Sequence, residues 1–123
     1  MKILIAEDDP IMSAMIQKQL EKESYELSMN KDARDALESL NNFEPDLIIT
    51  DILMPFTSGL EFIGIIRSSG IKTPILVLSA MDQESTVLEA LSLGANDFIT
   101  KPFKSNELSS RVKTLIGPRQ KKS

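Results

Sequence analysis

The chain has 123 residues, fewer than the ~150 of a soft one-domain prior, so a single compact unit is expected. With 41% hydrophobic and 26% charged residues it fits a folded soluble domain and not a disordered segment. It has no Cys and no His, which excludes disulfides, thiol and Ser-His-Asp nucleophiles, imidazole and thiolate metal ligands and any phosphohistidine of its own, and its net charge of −4 argues against a sequence-independent grip on nucleic acid.

In chain order, the apolar run Ile3–Ala6 reads as a first strand and ends in Glu7-Asp8-Asp9. That start is too short for a signal peptide, and no stretch approaches the ~18 apolar residues of a membrane span, so the cytoplasm is the default location. Asp9-Pro10 reads as an N-cap with Pro at the first helical position, followed by Met12, Met15, Ile16 and Leu20 at helical spacing. Tyr25–Met29 alternates apolar and polar residues and is placed at a sheet edge; Ala33, Ala36, Leu37 and Leu40 mark a second helix. The third strand, Leu47–Thr50, ends at Asp51. Ser58 with Glu61 predicts a capping box opening a helix over Leu60–Ser68, with Gly70 just past its end. The fourth strand, Ile75–Ser79, precedes a helix expected to be capped by Asp82 and closed by Gly94, with Leu88 in the core as Ile63 is in the helix before it. Asp97–Thr100 is the fifth strand, Lys101-Pro102 a turn, and Ser105 opens a last helix carrying Leu108, Val112, Leu115 and Ile116.

Alternating strands and helices predict a (βα)5 α/β fold: a parallel five-stranded sheet between helices on both faces, a three-layer sandwich. The unbroken apolar runs agree, because strands covered on both sides need no polar alternation. Ligands of such sheets sit beyond the carboxyl ends of the strands. Those ends carry Glu7, Asp8 and Asp9, then Asp51, Ser79 and Lys101. Carboxylates ~5 Å apart repel by roughly 3 kcal/mol at an effective dielectric near 20, so a cluster of them raises a pKa or takes a cation. An all-oxygen donor set favours a Mg2+-like ion. Acids, a dication, a lysine and a hydroxyl together suit the holding of a phosphoryl group, and without His or Cys the candidate acceptor is the carboxylate of Asp51. Taken singly the residues say less: Asp9 reads as a cap, Glu7 and Asp8 as loop acids, Ser79 and Lys101-Pro102 as turns.

The segments ILIAEDDP, LIITDILMP, LVLSA and GANDFITKPF, in this order and spacing, resemble those of a response-regulator receiver domain of bacterial two-component signalling (CheY-like) over essentially the whole chain. The resemblance implies the flavodoxin-like strand order 2-1-3-4-5 and a phosphorylation-activated switch. Asp51 would accept the phosphoryl group from a sensor histidine kinase or phosphotransfer protein. Glu7, Asp8, Asp51 and the carbonyl of Leu53 would hold Mg2+. Ser79 and Lys101 would contact phosphoryl oxygens, the Lys101–Pro102 bond would be cis, and Phe98 with Ser79 would repack the face made by the fourth helix, fifth strand and fifth helix. It also implies a protein that catalyses only its own phosphoryl transfer and dephosphorylation and is otherwise no enzyme. It would be a monomer or a weak phosphorylation-dependent dimer, with a separate or fused downstream target. Two positions depart from the family's commoner residues, Ser58 standing for Asp and Phe98 for Tyr; the two places thought to tune dephosphorylation in this family hold apolar Leu53 and Met81.

An aspartyl phosphatase is disfavoured because Leu53 stands where such enzymes carry their acid/base Asp, and a nucleotide or flavin module because Glu7-Asp8-Asp9 would repel its phosphate. A receiver degenerated to a constitutive docking surface would have lost phosphoryl-site residues that are present here. Residues 1–117 are expected to form the domain and 118–123, with the basic run Arg119 to Lys122, a tail or linker remnant. The sequence leaves open whether the domain stands alone or was cut from a longer protein.

Overall fold

The computed structural model describes the backbone of residues 1–120 and the side chains of residues 1–117. Its elements run β1 (Lys2–Ala6), α1 (Pro10–Lys22), β2 (Glu26–Asn30), α2 (Ala33–Phe43), β3 (Leu47–Thr50), α3 (Gly59–Ser68), β4 (Ile75–Ser79), α4 (Glu84–Leu93), β5 (Asp97–Thr100) and α5 (Ser105–Gln120). All strand pairings are parallel, in the order β2-β1-β3-β4-β5. No helix among the described residues is long and apolar enough to cross a membrane.

Period-2 alternation sorts the apolar strand residues onto two cores. Ile3 and Ile5 of β1 pack with Ile16 and Leu20 of α1 and with Leu108, Val112 and Ile116 of α5. Leu4 and Ala6 point the other way, to Ala33, Ala36 and Leu40 of α2, Phe62, Ile63 and Ile66 of α3 and Ala90 of α4. Each fully buried Leu, Ile or Phe contributes about 1.5–3 kcal/mol, which is what anchors the strand ends where the chemistry lies.

β1 is the switch point of the sheet, because the chain leaves it for β2 on one side and returns to β3 on the other. Ala6 pairs with Thr50, so Glu7 and Asp51 emerge side by side. Ser79 pairs with Thr100, which sets Lys101 just beyond β5.

Four expectations are corrected. The edge strand begins at Glu26 and not Tyr25, whose N–H still reaches back to the Leu20 carbonyl at 3.3 Å. The capping box is half made: Ser58 Oγ accepts from the Glu61 N–H at 3.2 Å, and it opens α3 one residue earlier, at Gly59. Asp82 does not cap α4; the N-cap is Gln83, whose side chain makes no capping bond, leaving Asp82 outside the first turn. Leu88 is not core but 56% exposed, because α4 buries the stripe Thr86 and Ala90, and a residue two positions from Thr86 lies on nearly the opposite side of a helix. At the C-terminus, α5 runs to Gln120, and residues 121–123 of the expected tail lie outside the described residues.

Two glycines of α3 give opposite expectations. A Cβ on Gly59 would collide with the Asp51 carbonyl oxygen and stand 2.7 Å from the Ile52 Cα, both backbone atoms that cannot swing away. Gly64 has nothing within 4 Å of its Cβ position. Gly59→Ala should therefore cost about 2 kcal/mol and lower the Tm by roughly 8 °C, while Gly64→Ala should stabilise by about 0.5–1 kcal/mol. Thermal unfolding of the two variants checks both signs.

Candidate functional site

The pocket forms where β1, β3 and β5 end. Glu7 and Asp51 are buried beside each other, Asp8 is exposed at the mouth, and each offers a carboxylate oxygen within 4.8 Å of the others'. The Lys101 ammonium donates to Glu7 Oε1 and to Asp51 Oδ2, both at 2.8 Å. The second oxygens are held by main chain: Asp51 Oδ1 accepts from Ile52 N–H at 2.6 Å and Leu53 N–H at 3.4 Å, and Glu7 Oε2 accepts from Asp9 N–H at 3.2 Å. Glu7, Asp8, Asp51 and Lys101, expected from strand ends alone, thus share one pocket.

Its charges do not balance. Burial raises the Glu7 carboxyl above its ordinary range and outweighs the lowering by the Lys101 hydrogen bond, while the charge of Asp51 adds to the rise. Burial by itself would lower Lys101, yet the hydrogen bonds it donates to Asp51 and Glu7 hold its pKa above the ordinary lysine value. Beyond the effect of burial, a single half-buried cation serves two buried anions, and Asp8 adds a third. The donors are oxygens only, so the set fits a hard dication such as Mg2+ better than a softer metal.

The remaining candidates surround this centre. Ser79 is fully buried, and its Oγ accepts from the Met81 N–H at 3.1 Å, a bond that leaves the hydroxyl hydrogen uncommitted. The Lys101 N–H donates to the Ser79 carbonyl at 2.9 Å, and the Lys101–Pro102 peptide is cis. Asp9 is the cap expected, its Oδ1 accepting from Ile11 N–H at 3.2 Å. Phe98 lies farther off, half-buried in β5 and packed with Met54 and Met81 against the α2–α3–α4 core. Leu53 follows the acceptor position with its side chain exposed.

Asn30, which ends β2, is a further residue of the site that the strand ends do not announce. Its carbonyl accepts from Glu7 N–H at 2.9 Å and its buried amide donates to the Ile5 carbonyl at 3.3 Å, so it seats the first acid. A polar residue closing an alternating strand was the available signal. Gly59, seated on the Asp51 carbonyl, is a second such residue.

The response regulator receiver domain family model matches residues 3–113. Among curated relatives, the transcriptional regulatory protein PcoR of Escherichia coli is 37% identical over 94% of this chain and 51% of its own length. The alkaline phosphatase synthesis transcriptional regulatory protein PhoP of Bacillus subtilis is 35% identical over 94% of this chain and 48% of its own. The chain therefore spans about half the length of these relatives. The solved receiver domain of the Francisella response regulator 1452 superposes with a TM-score of 0.91 at 33% identity, covering 96% of this chain and 98% of that one. A match that begins inside β1 and ends inside α5 leaves no element of the fold outside it, and the chain belongs to the response regulator receiver domain family of two-component signalling.

Proposed function

We propose that the domain is switched by phosphorylation of Asp51, with a histidine kinase or phosphotransfer protein as donor. The observation that carries this reading is the Lys101 ammonium held at 2.8 Å from both Glu7 and Asp51, with Asp8 beside them. An Asp51 carboxylate oxygen attacks the phosphorus of a phosphohistidine and the P–N bond breaks. The imidazole nitrogen leaves with the bonding pair, and a proton from water restores the neutral ring. The product is an acyl phosphate. Asp51 is suited to be the acceptor because Ile52 and Leu53 amides orient one oxygen and Lys101 the other.

Glu7, Asp8, Asp51 and the Leu53 carbonyl would hold Mg2+, which when bound offsets the negative charge of the incoming phosphoryl group. Lys101 would exchange a carboxylate for a phosphoryl oxygen, and Ser79 would turn its free hydroxyl hydrogen to another. Movement of Ser79 pulls on Met81, and Phe98, in the same apolar cluster as Met81, repacks with it. The α4-β5-α5 face then changes shape for its partner, in a monomer or a weak phosphorylation-dependent dimer. The relatives named as transcriptional regulators suggest an output on gene expression through another domain or protein, with the work done in the cytoplasm. The domain turns over no external substrate and catalyses only its own modification and its loss.

Three outcomes are expected. Acetyl phosphate with Mg2+ adds one phosphoryl group by intact-protein mass and none to Asp51→Asn; steady phosphate release without a labelled protein would instead indicate a phosphatase. Mg2+ at ~100 times its Kd adds about 2.7 kcal/mol of stability, and Asp8→Asn raises the Tm of the metal-free protein while abolishing that response. Exposed, apolar Leu53 neither orients nor admits the hydrolytic water well, so the phosphorylated state is long-lived and Leu53→Asn speeds autodephosphorylation; equal decay rates for the two proteins discard that role.

A further inference from the structure

We infer that Phe56, held by Arg34, is a specificity-determining contact for a phosphohistidine-bearing protein donor; this rests on the phosphoryl-acceptor reading of Asp51. Phe56 has a left-handed backbone, φ 72°, and the Thr57 N–H closes a three-residue turn onto the Pro55 carbonyl at 2.9 Å. Such γ-turns are rare and strained, and a bulky residue has no intrinsic reason to occupy one. The ring gains little from burial in return, being 72% exposed. What holds it is the Arg34 guanidinium, 3.6 Å from the ring centroid. Strain combined with an exposed aromatic side chain is better explained by recognition than by folding.

Its position says what is recognised. The loop carrying Phe56 is closed onto the acceptor at both ends: Leu53 N–H reaches Asp51 Oδ1, and Gly59 N–H reaches the Ile52 carbonyl at 2.8 Å. Arg34 lies in the first turn of α2, just after β2, and β1 runs between β2 and β3. The Arg34–Phe56 clip therefore spans the width of β1, the strand that delivers Glu7 and Asp8, on the α2–α3 side of the pocket. Among the described residues the three most exposed large hydrophobics are Ile11 at 82%, Phe56 at 72% and Leu53 at 59%, all on segments following β1 or β3.

Asp51 is only 7% exposed, so a phosphoryl group borne on a histidine reaches it only if the donor protein lies down on this rim. A small phosphodonor enters without touching it. Phe and Arg are residue types that concentrate binding energy when such a rim is covered. The occupant is thus the donor protein at the moment of transfer.

The test uses the full chain with Mg2+ and two probes: acetyl phosphate, and an isolated histidine-phosphotransfer domain charged on its histidine with phosphoramidate. Phe56→Gly removes the ring and accepts a positive φ without strain, so it should melt at or above the parent temperature. Its labelling by acetyl phosphate should match the parent, while transfer from the phosphohistidine domain should fall by about tenfold; Arg34→Gln, which frees the ring, should lower that transfer by a smaller factor. Parental rates from both donors, or equal slowing with both, overturn the inference. So does a Phe56→Gly protein that loses a sedimenting dimer while keeping both rates, since the ring would then serve a second copy. A parent labelled by neither probe overturns the acceptor reading itself, and one labelled by acetyl phosphate alone removes the protein donor.

Discussion

One ammonium group organises the carboxyl end of this sheet. Lys101 comes from beyond β5 yet touches the acids that follow β1 and β3, so a single side chain ties together ends that lie on both sides of β4. It does not neutralise them. Two carboxylates about 5 Å apart oppose each other by roughly 3 kcal/mol at an effective dielectric near 20, and one lysine offsets only part of that. Burial is the main cause of the raised Glu7 carboxyl, and the Asp51 charge adds to it. A pocket left net negative by its own folding is poorly suited to receive a phosphoryl dianion unaided, which is why the acids and a dication belong to one proposal. The two well-filled apolar layers beneath make such a frustrated cluster tolerable.

The same lysine also links the pocket to the rest of the molecule. Its main-chain N–H holds the Ser79 carbonyl, and Ser79 Oγ holds the Met81 amide, so β5, β4 and the approach to α4 are joined in series. α4 is fastened unevenly. Its N-cap side chain makes no bond, and it buries only the small residues Thr86 and Ala90. Its far end is clamped by Arg67, which donates to the Gly94 carbonyl at 2.9 and 3.1 Å, to the Ile71 carbonyl at 2.8 Å and to Asn96 Oδ1 at 3.1 Å. In the proposed switch, a change at Ser79 thus meets the weakly held end of α4, and Leu88 and Leu91 on its open side are what a partner would sense.

The central strands were legible because burial on both faces writes itself as uninterrupted Ile, Leu and Val, and β3 and β4 stand where those runs predict; β5, Asp97-Phe98-Ile99-Thr100, also stands where expected without such a run. β2 was displaced by one residue because Ser24, at φ 69°, lets Tyr25 stay bonded to the end of α1 before the strand begins. Leu88 was misplaced because apolar residues on a helix signal a core only when the stripe is known, and α4 draws its stripe with Thr and Ala. The site was legible for a different reason: in a parallel sheet, chemistry collects at strand ends, and a strand end can be found without knowing which strands are neighbours. Asn30 left only the faint trace of a polar residue closing an alternating strand, while Gly59 and the Arg34–Phe56 pair left no periodic trace, since each acts through a non-repeating contact between segments.

Gly59 and Phe56 show how tightly the acceptor loop is drawn. Gly59 lets the start of α3 sit directly on the Asp51 carbonyl, closer than any residue with a Cβ could come. Once both ends of the loop are pinned to Asp51 and Ile52, the intervening residues must reverse direction within a few positions, and the left-handed turn at Phe56 follows from that confinement. A glycine at the apex would meet the geometric demand with less strain. Placing a phenylalanine there, and an arginine across β1 to steady it, adds nothing the turn requires, so the reason for the ring lies outside the fold, in whatever covers the pocket.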